Sequence, residues 1–209
     1  MKKLFFIVFA SFSLFLLWCS TNDNWNNDVV VDETGESAIN NTTDNFDIVD
    51  LSRDILTLME NESFDELSNF AHPIKWVRFS PYTYIDVDHS MVLYPDDFQG
   101  DLNSGTFLRG YTDWWGFEII ETKYDYFKNR VYSTWFLFAD QTFIDQKISR
   151  WNNLNNLDDV FPNTHQIEYY FDWFDPQYEW IDWQSLTLVF EEYNGYYYLV
   201  WVIHGCWTI

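Results

Sequence analysis

The sequence predicts an α+β domain in which N-terminal helices pack on a curved antiparallel sheet. Apolar residues recur at helical spacing between positions 48 and 70. The C-terminal third instead carries three runs with strand character, at 167–171, 185–193 and 196–205. Asn194-Gly195 joins the last two runs, and Asn-Gly favours a type I′ hairpin because both turn residues adopt positive φ. A C-terminal three-stranded meander is therefore expected, and helices inside a curved sheet would make a cone.

The N-terminus has the pattern of an export signal. Lys2 and Lys3 precede an apolar run of about 14 residues, shorter than the roughly 20 that a membrane-spanning helix needs. The segment Leu16-Leu17-Trp18-Cys19 resembles the lipobox of bacterial lipoproteins, in which the cysteine becomes the acylated first residue. Trp18 departs from that pattern, which has a small residue there. Residues 1–18 are predicted to be a lipoprotein signal peptide and Cys19 the lipidation site; the alternative is an uncleaved N-terminal anchor.

The composition changes twice after the signal. Residues 19–45 are rich in Asn, Asp, Ser and Thr, which predicts a disordered tether. Residues 46–209 contain the apolar runs and are predicted to form a single α+β domain.

The elements of this domain follow from local patterns. A first helix is expected over 48–59, and the box Ser63-Phe64-Asp65-Glu66 predicts that Ser63 caps a second helix ending before Pro73. Pro95 marks a further helix start. The remaining expectations are extended segments at 77–82 and 84–88, a strand at 106–111, a turn at 112–116, an extended piece at 117–120, a helix at 122–131 and an Asn-rich loop at 151–159.

Charge and cysteine usage exclude several function classes. The chain has 33 acidic and 11 basic residues, a net charge of −22, so its surface repels nucleic acid and anionic lipid headgroups. Such a surface suits solubility outside the cell or the attraction of cations. The two cysteines form no CxxC pair, the four histidines lack HExxH spacing, and no glycine-rich phosphate loop or GxSxG motif occurs. No cofactor and no metal are expected.

Tryptophan is unusually frequent and glycine unusually rare. The chain has 12 Trp and 7 Gly, whereas average usage would give roughly 15 Gly. Trp25, Trp76, Trp151, Trp173 and Trp180 lie in turn-like or polar surroundings. One hypothesis is that many tryptophans are glycines in the native protein, because some bacterial lineages read UGA as glycine. The alternative is an aromatic-rich chain from an AT-rich genome.

Three segments resemble a family of uncharacterised bacterial cell-envelope proteins, many of them lipoproteins. These segments are HPIKWVRFSPYTYI (72–85), LNNLDDVFPNTHQIEYYF (154–171) and FDPQYEWIDWQSLTLVFEEYNGYYYLVWVIHGCWTI (174–209). The family pattern has glycine at Trp76, Trp173, Trp180 and Trp201, and tryptophan at Trp183 and Trp207. The resemblance implies a fold similar to the nuclear-transport-factor-two-like cone. We therefore expect Trp76, Trp151, Trp173 and Trp180 in turns or at the surface, and Trp183 and Trp207 well buried.

The pocket of such a cone would lie between the last strands and the 72–82 segment. Asp182 and His204 could form a general acid–base pair there, or a structural hydrogen bond. Arg78 could bind an anionic ligand, or pair with Asp182 or Glu168. The expected pocket residues are His72, Arg78, Tyr82, Asp182, Trp183, His204 and Trp207.

Further residues suggest other kinds of site. Tyr82, Tyr84 and the run 196–198 could stack on sugar rings, or simply follow strand alternation. Asp86, Asp88 and His89 could bind a divalent metal but lack the loop pattern of a calcium site. Cys206 is expected to be a small buried residue rather than a nucleophile.

These features predict a membrane-tethered envelope lipoprotein on the extracytoplasmic face, anchored through Cys19. Its domain would bind a small ligand, a glycan or an envelope protein. The alternative is a hydrolase or isomerase of the same fold with Asp182 or His204 as general base.

Overall fold

The structure is a computed structural model that describes residues 48–112, 115–148, 150, 154–178 and 181–207. The expectations for the signal peptide, Cys19, the tether, Trp151 and Trp180 lie outside the described residues.

The described chain has the α+β architecture that the sequence predicts. Its strands are β1 (Val77–Ser80), β2 (Met91–Leu93), β3 (Phe107–Tyr111), β4 (Glu118–Glu121), β5 (Gln141–Ile144), β6 (His165–Phe171), β7 (Gln184–Tyr193) and β8 (Tyr196–Cys206). Its α-helices are α1 (Ile48–Glu60), α2 (Phe64–Leu67), α3 (Pro95–Phe98), α4 (Lys123–Tyr126) and α5 (Leu157–Val160). Short 3₁₀ turns occur at Ser68–Phe70, Phe136–Phe138 and Pro176–Tyr178.

Six strands form one sheet in the order β2-β1-β8-β7-β6-β5, and β3 pairs with β4 in a separate hairpin. The meander β6-β7-β8 is antiparallel throughout, as predicted. Asn194 and Gly195 have φ of 54° and 83°, the values that a type I′ turn requires. The pairing of β1 with β8 is parallel, so the sheet is mixed rather than wholly antiparallel.

Helix α1 covers one face of this sheet. Leu51, Ile55 and Met59 are fully buried, because their spacing places them on a single helical stripe. They join a core with Phe79 and Leu188. Helix α1 is thus stabilised by the burial of its apolar face.

The opposite sheet face has its own smaller core. Trp201 and Ile203 of β8 pack there with Val189, Ile85 and Leu157. Val189 pairs with Trp201 and Phe190 with Leu199, so Val200 is an extra residue in a β-bulge. The bulge allows Val200 and Trp201, although adjacent, to join the same cluster.

Several local expectations differ from the structure. Ser63 makes no side-chain cap because its φ of −79° and ψ of 64° are not the extended conformation of an N-cap, and α2 is only one turn long. Residues 84–88 form no strand. Strands β2 and β5 were not predicted. Helix α5 begins at Leu157, within the segment 151–159 that was expected to be a loop.

The helix expected over 122–131 is present in two parts. Thr122 caps it by accepting a hydrogen bond of 3.0 Å from the Asp125 amide. Its second half, Phe127–Val131, widens to a π-helix. None of the helices in the described part of the chain has the length and apolarity needed to cross a bilayer.

Candidate functional site

A cleft of about 310 Å³ lies between the β1–β2 connection and the β3–β4 hairpin. The connection spans residues 81–90, and we call it the 81–90 loop. The cleft is lined by Ser80, Pro81, Tyr82, Tyr84, Asp86, His89, Ser90, Arg109, Gly110, Tyr111, Thr112 and Gly116. Its volume lies within the roughly 300–1,000 Å³ of small-molecule sites.

A β-bulge positions Arg109 in the cleft wall. Leu108 pairs with Ile120 and Tyr111 with Glu118, so β3 has one residue more than β4 between these pairs. Gly110 lies in this bulge and has a φ of 109°, a value that glycine adopts readily and that strains other residues. Bulges commonly re-aim a side chain beside a functional site. Here the bulge brings a guanidinium to the cleft.

The Arg109 guanidinium has no ionic partner among the described residues. Its Nε and Nη2 atoms are shielded from water and find no acceptor there. The group lies 4.6 Å from the centre of the Phe107 ring, a cation–π distance that holds its orientation. Burial lowers the pKa of Arg109, although Tyr126 and Asp97 oppose that effect. Arginine stays charged even so, and the cleft therefore has a positive wall.

Asp86 and His89 form a pair elsewhere in the cleft wall. His89 Nδ1 lies 2.7 Å from Asp86 Oδ2. Asp86 Oδ1 accepts hydrogen bonds from the amides of Asp88 and His89, at 3.0 and 3.3 Å. Burial raises the pKa of Asp86, but these three hydrogen bonds outweigh it and hold the pKa below its usual value.

These same contacts explain why residues 84–88 are not extended. A carboxylate that accepts from the amides two and three residues onward closes an Asx-type turn. In the structure Asp86 thus closes the turn, and Asp88 and His89 donate to it. Among the described residues, no group of three or more His, Cys, Asp or Glu side chains is placed to hold a metal ion.

Tyrosine rings complete the cleft. Tyr84 is 57% exposed, and Tyr111 packs edge-on against His89 with ring centres 5.8 Å apart. Tyr82 also lines the space. An exposed tyrosine offers an apolar face and a polar tip, which suits a ring-shaped polar ligand.

Of the residues predicted to line a pocket, Tyr82 lies in the cleft. Arg78 does not line the cleft but binds the loop that forms one of its walls. Arg78 Nη1 donates to the Val87 carbonyl at 3.0 Å and to Ser90 Oγ at 3.2 Å. The guanidinium also lies 5.7 Å from the centre of the Trp201 ring. Arg78 thus fixes the end of the 81–90 loop. The expected pairing of Arg78 with Asp182 or Glu168 was wrong.

Asp182 and His204 do not form the expected pair. Asp182 Oδ2 accepts hydrogen bonds from the amides of Phe174 and Asp175, at 3.1 and 2.7 Å, and so holds that loop. His204 is buried, with Nε2 at 3.4 Å from both Ser133 Oγ and Gln184 Oε1. Burial lowers the pKa of His204 to about 4, opposed by a contact to the Pro81 carbonyl.

The other expected pocket residues have structural surroundings. His72 Nδ1 accepts from the amides of Ile74 and Lys75, at 3.1 and 3.0 Å, so it organises the turn before β1. Trp183 is buried, as expected, and lies 4.9 Å from the Arg150 guanidinium. Trp207 is only half-buried, which contradicts the expectation of full burial. Cys206 is half-buried as well.

A second, much smaller cavity lies beside the paired Arg150 and Glu168. Its volume of about 20 Å³ holds about one water molecule. It is therefore too small for an organic ligand.

Arg109, the most distinctive group of the cleft, was missed in the sequence. The available signal was Gly110 within the strand-like run TFLRGY, because an isolated glycine in a strand often marks a bulge. Comparisons with protein-family models, with curated proteins and with solved structures found no match for this chain.

Proposed function

We propose that this chain is a membrane-tethered lipoprotein of the bacterial envelope whose domain binds a small ligand in the cleft between the 81–90 loop and the β3–β4 hairpin. The observation that carries the proposal is the cleft itself. It combines a volume of about 310 Å³ with a guanidinium, a carboxylate–imidazole pair and tyrosine rings. A concave site with a few convergent polar groups is the usual form of a small-molecule site.

The anchor and the tether come from the sequence pattern. Acylation of Cys19 would attach the protein to the lipid membrane, and residues 19–45 would hold the domain away from it on the extracytoplasmic face. The partners are then the membrane and a small ligand, a glycan or an envelope protein that offers such a group.

Binding is favoured over the enzymatic alternative. Asp182 uses one carboxylate oxygen to hold the Phe174–Asp175 loop. His204 is buried and is not among the residues that line the cleft. Neither group is placed as a general base towards a ligand in the cleft, because such a base must come within hydrogen-bond reach of the proton it removes.

The test of binding uses the purified full-length chain and ring-shaped probes. Glucose, N-acetylglucosamine and glucuronate are titrated while the melting temperature and heat of binding are measured. At least one probe is expected to bind, and Tyr84→Ala is expected to weaken that binding. Tyr178→Ala is the matched control, because Tyr178 is similarly exposed, at 50%, but lies outside the cleft.

Two results would contradict the binding proposal. One is that none of these probes binds. The other is that Tyr178→Ala weakens binding as much as Tyr84→Ala, because the bound probe would then lie outside the cleft.

The anchor is tested separately. Cys19→Ser is expected to release the protein from the membrane fraction when it is expressed in a bacterium with a lipoprotein pathway. Mass spectrometry of the N-terminal peptide is expected to show a lipid on Cys19. An unmodified Cys19 in membrane-bound protein would refute the lipid anchor and leave the uncleaved N-terminal anchor.

A further inference from the structure

We propose that the cleft selects anionic ligands, and that Arg109 binds the carboxylate or phosphate group of a sugar-sized ring compound. This inference rests on the proposed function, because it names the class of ligand for the same cleft. It begins from an imbalance of charge. The chain carries 33 acidic residues against 11 basic ones, yet Arg109 pairs with none of the described acids.

The carboxylates around Arg109 are already used elsewhere. Asp97 pairs with Lys123. Glu121, on the partner strand of the hairpin, pairs with Arg130 at 2.8 Å. Asp86, in the same cleft, pairs with His89 at 2.7 Å. Arg109 is the one arginine among the residues that line the cleft, and these neighbouring carboxylates are paired with other groups.

The position of Arg109 is also held in place. The Phe107 ring stacks under its guanidinium, and the bulge at Gly110 sets the direction of the strand. Nε and Nη2 are shielded from water and have no described acceptor, an arrangement that destabilises the free protein. Natural proteins retain such a cost mainly where a function uses the group. An anion in the cleft would neutralise the charge.

The other residues that line the cleft restrict the chemistry of the rest of the ligand. Asp86 is negative and keeps a second acidic group out of its part of the cleft. It accepts hydrogen bonds instead, so a ligand with hydroxyl groups on that side is favoured. The rings of Tyr82, Tyr84 and Tyr111 offer apolar faces for stacking. A sugar acid or a sugar phosphate has an anionic end, hydroxyl groups and a flat ring face.

The binding test compares three probes that differ at one substituent: glucose, glucuronate and glucose 6-phosphate. Inorganic phosphate is the fourth probe and reports whether the anion binds without a ring. At least one acidic sugar is expected to bind the full-length chain about tenfold or more tightly than glucose. Arg109→Gln is expected to remove that preference. Arg53→Gln is the control, because it makes the same change of charge at an exposed position of α1.

A second measurement separates a ligand-binding arginine from a structural one. Arg109→Met is expected to leave the melting temperature without ligand unchanged or higher, because it removes unsatisfied buried donors. Arg150→Met is the contrast, since Arg150 is paired with Glu168 at 2.6 Å and should lose several degrees.

The outcomes distinguish the two proposals. If glucose binds as tightly as both acidic sugars and Tyr84→Ala still weakens it, the binding function stands and the anion inference fails. If Arg109→Met lowers the melting temperature as far as Arg150→Met, Arg109 is structural and the inference also fails. If none of these probes binds, and N-acetylglucosamine does not bind either, both proposals fail.

Discussion

The indole Nε1 of Trp201 donates a hydrogen bond of 2.9 Å to Ser80 Oγ, and both residues are buried. The bond joins β8 to β1 where these strands run parallel. Trp201 also packs edge-on against Phe161, with ring centres 5.2 Å apart. The family resemblance implies glycine at position 201. In this structure the position instead holds the largest fully buried side chain of the described core.

Trp201→Phe is therefore expected to lower the free energy of unfolding by about 2 kcal/mol, because it opens a cavity and leaves Ser80 Oγ without its donor. Denaturant unfolding measures the change. Trp173→Phe, at an exposed position, is the control and should stay within about 0.5 kcal/mol of the wild type. Equal stability of both variants would show that Trp201 is not a packing residue.

Trp76 differs from Trp201 because its backbone is in the left-handed region, with a φ of 60°. Residues with a Cβ are strained there by about 1–2 kcal/mol, and glycine is not. Trp76→Gly is expected to be about 1 kcal/mol more stable to denaturant than Trp76→Ala, which keeps the strained Cβ and also lacks the indole. A more stable Ala variant would contradict the strain.

The glycine hypothesis can be tested directly at the same position. Peptide mass spectrometry of protein purified from its own organism is expected to show a glycine mass at position 76. Trp173, at an exposed loop position, is a second position where glycine is expected. Tryptophan masses at both positions would refute the hypothesis there.

His204 is expected to make the fold acid-sensitive. Burial holds the pKa of His204 at about 4 in the folded protein, against about 6.5 in an unfolded chain. Below pH 6.5 the unfolded chain gains a proton that the folded protein excludes, so stability falls between pH 6.5 and pH 4. The loss at the acid end is about 3 kcal/mol. Unfolding free energies measured across this pH range test it.

His204→Gln is expected to flatten that pH dependence, because glutamine does not titrate. His165→Gln is the control, since the His165 side chain is 44% exposed and is paired with Asp145. His72 contributes in the same direction as His204, because burial also lowers its pKa, and some slope therefore remains. An unchanged slope in His204→Gln would contradict the buried, neutral imidazole.

The Arg150–Glu168 pair is expected to behave as a buried ion pair. Its two hydrogen bonds measure 2.6 and 3.1 Å, and the two side chains are 12% and 8% exposed. Arg150→Met alone is expected to cost about 3–5 kcal/mol, because Glu168 is left as a buried unpaired charge. The double variant Arg150→Met/Glu168→Leu should regain most of that loss. A double-mutant cycle in denaturant gives the coupling, and additive losses would contradict it.

The sequence predicted the parts of this fold that local pattern determines. The meander was predictable because alternation and the Asn194-Gly195 turn act over a few residues, and α1 because its apolar stripe is regular. The partners of Arg78, Asp182 and His204 were not predictable, because they depend on which loops meet across the sheet. Arg109 was missed for the same reason: a guanidinium without a partner is a property of the folded arrangement and not of a motif.

The place of β8 in the sheet has a consequence for the order in which the sheet forms. Strand β8, the last strand of the described residues, lies between β1 and β7, and its Trp201 donates a hydrogen bond to Ser80, 121 positions earlier. The six-stranded sheet cannot close until β8 has been synthesised, because β8 is an interior strand and follows the other five strands in the chain. Pairing over such separations is also slow. Until β8 is made, β1 and β2 have no link to β5, β6 and β7, because β8 joins the two groups of strands in the sheet.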